Sequence, residues 1–137
     1  MATINNKEEK YTESVGKRKS AIARVRIYPA SKMTFLINDK PLERYFPGMA
    51  LAHVIKLPIS VSGTEEKFRI NVVVRGGGVR AQAEAISLGI SRALSSVNPN
   101  LRQPLKKAKL LSRNSRIKER RKFGLKKARK APQWSKR

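Results

Sequence analysis

The chain has 137 residues, enough for one modest domain, and its 32 Lys and Arg against nine Asp and Glu give a formal net charge of +23. It has no cysteine and a single histidine, His53, which excludes disulfides and argues against thiolate or histidine metal sites. No run approaches eighteen consecutive apolar residues, and residues 1–10 form a polar arm. We therefore expect a soluble protein without a membrane span or a secretory signal.

The first half of the chain predicts a basic turn followed by two strands. Gly16-Lys17-Arg18-Lys19 has the composition of a turn entering a strand, and its side chains could contact phosphates or simply be solvated. From Ala21 to Tyr28 apolar and polar residues alternate, as they do in a half-buried strand. A second short strand, Thr34 to Ile37, ends at Asn38-Asp39, and we expect it to pair antiparallel with the first.

The remainder of the domain predicts helices around one further strand. Lys67 to Arg75 alternates, with Phe68, Ile70, Val72 and Val74 on one face. The predicted helices are Pro41 to Phe46, Met49 to Leu57 before Pro58, Val79 to Val97 before Asn98-Pro99, and a short one within Leu101 to Leu111. The longest helix has an apolar stripe that should pack on the sheet. That packing would leave Arg24, Arg26, Arg69 and Arg75 on the opposite, open face, where they could bind a polyanion.

A run of three glycines, Gly76-Gly77-Gly78, lies between the last strand and the longest helix. The glycines could permit a sharp turn and a close approach, or their N–H groups could contact a phosphate. The structural role is favoured because no nucleotide-binding companion residues are present.

Catalytic and metal chemistry have little support in the sequence. His53 has no neighbouring nucleophile or acid, and the acidic residues are scattered without metal-ligand spacing. We therefore expect no enzyme activity, no metal and no cofactor.

The last 36 residues, 102–137, carry sixteen of the 32 Lys and Arg and only one acid, Glu119. Such a segment repels itself and needs a polyanion to bind, and we expect that polyanion to be nucleic acid. Gly124 and Pro132 would break any helix, so residues 124–137 should extend over roughly 46 Å. We divide the chain into a polar arm (1–10), a globular domain (11–101) and a basic extension (102–137). The candidate phosphate-binding residues of the extension are Arg113, Arg116, Arg120, Arg121, Lys122, Lys126, Lys127, Arg129 and Lys130.

Four ordered motifs resemble the family of ribosomal protein nine of the small subunit. They are Ser14 to Val25 (SVGKRKSAIARV), Ile37 to Leu42 (INDKPL), the glycine triplet followed by Gln82 to Ile86, and Gly124 to Gln133 with the closing Ser135-Lys136-Arg137. This chain departs from the family pattern at Arg80-Ala81, after the glycine turn, and at Trp134, where Tyr or Phe is more usual.

The resemblance implies an α+β domain with a four-stranded sheet covered by helices on one face, plus a long extended basic tail. It implies a seat in the head of the small ribosomal subunit, on the 3′ major domain of the rRNA, near small-subunit proteins seven, ten or fourteen. It also implies that Ser135, Lys136 and Arg137 contact the tRNA in the peptidyl site. The ribosome would be that of a bacterium's cytoplasm or of an organelle that encodes its own copy.

The resemblance and the charge pattern assign Lys17, Arg18, Lys19, the four sheet arginines and the nine basic residues of the extension to rRNA. A free nucleic-acid-compacting protein of the histone-like type is the alternative. It would need a dimer interface or repeated basic motifs, and the sequence has no evident repeat.

Overall fold

The computed structural model describes residues 9–64 and 67–136. Within them one sheet has the strand order β1-β2-β5-β3-β4. Its strands are β1 (Thr12–Arg18), β2 (Ala21–Pro29), β3 (Thr34–Ile37), β4 (Lys40–Pro41) and β5 (Phe68–Arg75). The helices are α1 (Leu42–Tyr45), α2 (Met49–Ser62), α3 (Val79–Val97) and α4 (Arg102–Lys107), with a 3-10 turn at Pro99–Leu101. The α+β class is confirmed, with a fifth, two-residue strand beyond the four expected.

The two strongly alternating strands form the centre of the sheet, as predicted. Ala21, Ala23, Val25 and Ile27 of β2 are buried, and so are Phe68, Ile70, Val72 and Val74 of β5. Strands β2 and β5 pair antiparallel, from Ile22 opposite Arg75 to Pro29 opposite Phe68. The buried faces form one core with α3, while among residues 9–64 and 67–136 no helix covers the opposite face of β2 and β5.

The predicted antiparallel pair of β2 and β3 is wrong. Strand β5 lies between them and pairs in parallel with β3, from Thr34 opposite Arg69 to Ile37 opposite Val72. Sequence proximity favoured a direct hairpin, but β5 has an apolar buried face and hydrogen-bonds along both of its edges. The alternation of apolar and polar residues identified the strands and their buried faces. It does not indicate which strands pair with each other.

Strand β1 was not predicted, because its inward residues are small or polar rather than apolar. The segment that we expected to be a basic turn is the end of this strand, and the turn itself is Lys19-Ser20. Gly16 is buried against α3, and a Cβ there would lie 1.8 Å from the Ala85 carbonyl oxygen. Ser14 Oγ donates to the Gly89 carbonyl at 2.5 Å. Strand β1 therefore packs by close backbone approach, which hydrophobic periodicity does not reveal.

Helix α2 continues past Pro58, contrary to the prediction that it would stop there. A proline inside a helix removes one backbone hydrogen bond, but Pro58 is fully buried in the core together with Ile55. Its burial and the packing of α2 against α3 offset that loss. The helix instead ends at Ser62, and the next residue, Gly63, has a φ of 61° that suits a left-handed C-cap.

Helix α3 follows the predicted apolar stripe and ends at Val97, immediately before the predicted stop at Asn98-Pro99. Ala83, Ile86, Ile90 and Leu94 are fully buried, whereas Val79 and Val97 at the two ends are exposed. No helix of residues 9–64 and 67–136 is long and apolar enough to cross a membrane.

The packed part of the chain extends beyond residue 101. Leu105 of α4 is fully buried, and Leu110 and Leu111 pack against the core. From Ser112 to Lys136 the chain forms neither helix nor strand. Full extension from Gly124 is wrong for residues 124–130, because the Lys126 N–H donates to the Lys130 carbonyl at 2.7 Å and closes a turn.

Candidate nucleic-acid interface

The open face of the sheet gathers the four predicted arginines of β2 and β5. The register sets Ile22 opposite Arg75 and Tyr28 opposite Arg69, and it sets Arg24 and Arg26 beside β5 between these two pairs. These residues all point away from α3, because their neighbours along each strand are buried. The predicted grouping on one face is therefore confirmed.

At one end of this face the Arg26 side chain already has binding partners within the protein. Its Nε donates to Glu13 Oε2 at 2.8 Å, and its guanidinium lies 4.8 Å from the centre of the Tyr11 ring. The hydrogen bond to Glu13 raises the pKa of Arg26 above its ordinary value, against a smaller effect of burial. Arg26 is thus a charged side chain whose charge is largely balanced by an acid of β1.

Arg69 at the same end is occupied in the same way. It forms an ion pair with Glu9 and lies 4.6 Å from the centre of the Tyr28 ring. Tyr11 and Tyr28 contact each other, with ring centres 5.3 Å apart. We call this region, formed by Glu9, Tyr11, Glu13, Arg26 and Arg69, the paired end of the open face.

The other end of the face carries cations that donate no hydrogen bond to an acid among the described residues. Lys17 and Arg75 flank Ile22 across β1, β2 and β5, and no acid among the described residues lies within 4 Å of either. Arg24 is 3.8 Å from Glu13 with its side chain half exposed. Lys19 is exposed in the β1–β2 turn, with a positive φ of 51°. We call Lys17, Lys19, Arg24 and Arg75 the cationic end.

The glycine triplet borders the cationic end, and its geometry favours the structural role. Gly76 and Gly77 have φ of 75° and 68°. Side chains there would approach the Ser20 carbonyl oxygen to 2.6 Å and the Ala21 Cβ to 2.9 Å. Gly78, the N-cap of α3, has open space around it. The first two glycines are therefore explained by the sharp turn against β2.

Arg18 is the one predicted phosphate-binding residue of β1 that does not reach the open face. Its side chain is only 15% exposed, and its Nε donates to Glu84 Oε2 of α3 at 2.6 Å. Its Nη1 donates to main-chain carbonyls of the extension. Its donors are thus used inside the chain, unlike the amine of Lys17 one residue earlier.

The cations of the extension are accessible, as expected for a surface that binds phosphates. Of the nine predicted residues, Lys122 is half-buried and the others are exposed: Arg113, Arg116, Arg120, Arg121, Lys126, Lys127, Arg129 and Lys130. Phe123 is fully exposed and Trp134 is 80% exposed. Aromatic rings between cations can stack on nucleic-acid bases while the cations contact the backbone.

Glu119, the one acid of the extension, organises its middle part. It accepts hydrogen bonds from Lys122 and, at 3.0 Å, from Arg129 Nε. Arg121 Nε donates to the Leu125 carbonyl at 3.0 Å. Three of the nine cations, Arg121, Lys122 and Arg129, therefore form hydrogen bonds within a turn around Gly124, whose φ is 75°.

The tip of the extension lies away from these contacts. Residues 131–136, including Ser135 and Lys136, are exposed. The last predicted tRNA-binding residue, Arg137, lies outside the described residues.

The ion pairs that divide the open face were not predictable from the sequence. Tyr11 and Glu13 are two residues apart, as side chains on one face of a strand must be, but β1 had no apolar alternation to expose that pattern. Their partners Arg26 and Tyr28 are set by the β1–β2 register, which only the structure supplies.

Comparison with known proteins identifies the family to which this basic α+β chain belongs. The model of a family described as ribosomal protein S9/S16 matches residues 16–137. The chain belongs to this family. It is therefore a ribosomal protein, a structural constituent of the small subunit with a role in translation and without enzymatic activity.

Individual relatives cover nearly the same length. A small ribosomal subunit protein uS9 from Cutibacterium acnes is 50% identical over 125 residues, which are 90% of this chain and 72% of the relative. The protein of the same name from Lawsonia intracellularis is 47% identical over 127 residues, covering 93% of this chain and 97% of the relative. That from Mycoplasmoides gallisepticum is 46% identical over 125 residues, with 91% and 95% covered.

Proposed function

We propose that this ribosomal protein holds rRNA of the subunit head with two surfaces and contacts the peptidyl-site tRNA with its tip. The two rRNA surfaces are the cationic end of the open face and residues 113–130 of the extension. The tRNA contact is made by Ser135, Lys136 and Arg137. The observation that carries the proposal is the exposure of nearly every cation of the extension, with only one acid among them.

The proposed rRNA contacts are to phosphates and are independent of base sequence. Lys and Arg side chains that neutralise phosphates release counterions, and about six to ten such contacts lower the affinity by roughly 10³ to 10⁵ between 50 and 200 mM salt. The cationic end supplies four residues and the extension supplies the larger share. The rRNA would then be recognised by shape and charge.

The proposal also includes contacts with neighbouring proteins of the subunit head, without assigning residues to them. Small-subunit proteins seven, ten and fourteen are the candidates that the family resemblance implies. The 3′ major domain of the rRNA is the proposed seat for the same reason.

The tip is suited to a second, separate contact. The six residues 131–136 follow the turn around Gly124 and span about 20 Å when extended. Pro132 prevents them from continuing any helix. A tRNA backbone offers the same phosphates whatever its sequence, so this contact would act on every tRNA alike.

The decisive experiment reconstitutes small subunits with a chain that lacks residues 135–137. We expect normal assembly and weaker retention of tRNA in the peptidyl site, measured by filter binding against a Lys32→Gln/Lys40→Gln variant, whose two exposed lysines lie outside both proposed rRNA surfaces. That control also loses two cations but keeps the tip. Normal tRNA affinity of the truncated particles would contradict the proposed tip contact.

A longer deletion tests the rRNA contacts. Removal of residues 112–137 takes away twelve Lys and Arg but leaves the buried Leu105 in place. We expect poor incorporation of this variant into subunits, measured by sedimentation. Association of the intact chain with bulk DNA or RNA, rather than with subunit particles, would instead support the histone-like alternative.

A further inference from the structure

The extension leaves the domain through a defined seat on α3 and β1. Lys109 has a φ of 60°, and the Leu110 N–H donates to the Leu105 carbonyl at 3.0 Å, so the chain turns sharply after α4. Leu110 and Leu111 then pack on the core. Only after these contacts does the chain reach the Arg18 side chain.

Arg18 holds the extension by its main chain. Its Nη1 lies 3.0 Å from the Arg116 carbonyl oxygen and 3.5 Å from that of Asn114. Asn114 Oδ1 in turn accepts from the Arg116 N–H at 3.0 Å, which fixes a local turn between the two carbonyls. A single guanidinium therefore bridges the domain to both ends of that turn.

Glu84 of α3 orients the Arg18 side chain. One of its oxygens accepts from Arg18 Nε at 2.6 Å, and the other lies 3.4 Å from Arg80 Nε. Both carboxylate oxygens are thus engaged, and the Arg18 side chain is the least exposed of all the described side chains that form ion pairs. A planar guanidinium held along one edge presents its other edge in a fixed direction.

Glu84 also acts on the charge of this region. Without the Glu84 carboxylate, Arg18 and Arg80 would have no acid within 4 Å among the described residues, and Arg18 lies beside the main chain of the cation-rich residues 113–130. Like charges at short range repel, and half-buried pairs are only partly screened by salt. Removal of the carboxylate would both free the Arg18 side chain and push the extension away from the domain.

We infer that Arg18 and Glu84 form a positioning device that fixes the direction in which the extension leaves the domain. Arg18 then acts through the main chain of residues 114 and 116 rather than by binding a phosphate. The consequence for tRNA rests on the proposed function, because it is the tip whose aim would be lost. The seat itself is a property of the protein alone.

The first test measures the direction of the extension in the full chain. The sequence has no cysteine, so Ser96→Cys on α3 and Ala131→Cys beyond the turn accept spin labels at two sites only. We expect Glu84→Gln to broaden and lengthen the distance distribution between the labels. Glu43→Gln, which removes the same charge from an exposed pair with Lys56, should leave it as in the parent. Identical distributions in all three proteins would overturn the inference.

A second variant separates positioning from charge and from loss of folding. Arg18→Lys keeps the charge, but a single amine cannot bridge Glu84 and the carbonyl of residue 116 with the same geometry. We expect the same broadening with unchanged helix content by circular dichroism. An unchanged distribution in this variant would also contradict the positioning role.

The third test measures binding by the Glu84→Gln variant, for which loss of positioning and a simple charge effect predict changes in opposite directions. Glu84→Gln makes the chain more positive, so a role of Arg18 in phosphate binding predicts equal or tighter RNA binding. Loss of positioning predicts a severalfold weaker tRNA retention in reconstituted subunits, with Glu43→Gln unaffected. Broadened distances with normal tRNA retention would leave the seat standing and contradict the proposed role of the tip.

Discussion

The division of the open face into a paired and a cationic end makes a prediction about rRNA binding. Two double variants each remove two positive charges from the same face: Lys17→Gln/Arg75→Gln at the cationic end, and Arg26→Gln/Arg69→Gln at the paired end. Their net charges are equal, so the long-range attraction to RNA is matched. Their local roles differ, because Arg26 and Arg69 are bound to Glu13 and Glu9.

The size of the effect follows from counterion release. Each phosphate contact contributes about 0.7 to 0.9 to the slope of log K against log salt concentration. If Lys17 and Arg75 each neutralise one phosphate, their removal lowers the magnitude of that slope by roughly 1.4 to 1.8. The Arg26/Arg69 variant should change the slope little, since those arginines already balance acids of the chain.

The assay is a titration of an rRNA fragment of the head with full-length protein at four or more salt concentrations. Urea unfolding of each variant serves as the control for stability, because exposed substitutions usually change it by less than about 0.5 kcal/mol, with up to about 1 kcal/mol more for a lost cation–π contact. Equal slope changes in the two variants would refute the division of the face. A larger change at the paired end would reverse it.

Three further predictions concern packing and stacking. Gly16→Ala should lower the free energy of unfolding by about 3 kcal/mol, because its Cβ would meet backbone atoms of α3, whereas Gly48→Ala, with open space around it, should lower it by at most about 1 kcal/mol. Urea denaturation measures both, and similar losses would contradict the close approach. Leu105→Ala should cost about 2 to 5 kcal/mol and Met49→Ala, which is 88% exposed, close to none; a mild effect at position 105 would mean that α4 is not part of the core. Trp134→Ala should weaken RNA binding by about 1 to 3 kcal/mol if its exposed indole stacks on a base, and Trp134→Phe should restore most of the affinity, as RNA titration would reveal.

Much of the central fold was predictable from the sequence, because β2, β5 and α3 bury regular apolar patterns. Ile27, Ile70 and Ile90 are each buried where the period of their element requires it. The parts that were missed depend on neighbours distant in sequence. Gly16 lies in a strand because that strand packs closely against the backbone of α3. Pro58 is tolerated inside α2 because its ring is buried in the core.

For the candidate nucleic-acid interface, too, the sequence predicted the features that do not depend on tertiary contacts. The exposed cations of the extension follow directly from composition, which needs no tertiary information. Whether an arginine is available is a different matter: Arg26 and Arg75 look alike in the sequence, and only the strand register gives one of them a carboxylate. Arg18 is a still clearer case, because its acid is 66 residues away and its carbonyl partner is 98 residues away.

The strand order also determines when the domain can fold during synthesis of the chain. Strand β5 lies between β2 and β3 and pairs with both. The sheet therefore cannot be complete until residue 75 has left the ribosome that synthesises the chain. Helix α3 must follow before the core is shielded from water. Pairings between distant segments form slowly, because the intervening loop must be ordered first. The cationic extension follows the domain in the chain, so its sixteen Lys and Arg become available only after the domain has been made.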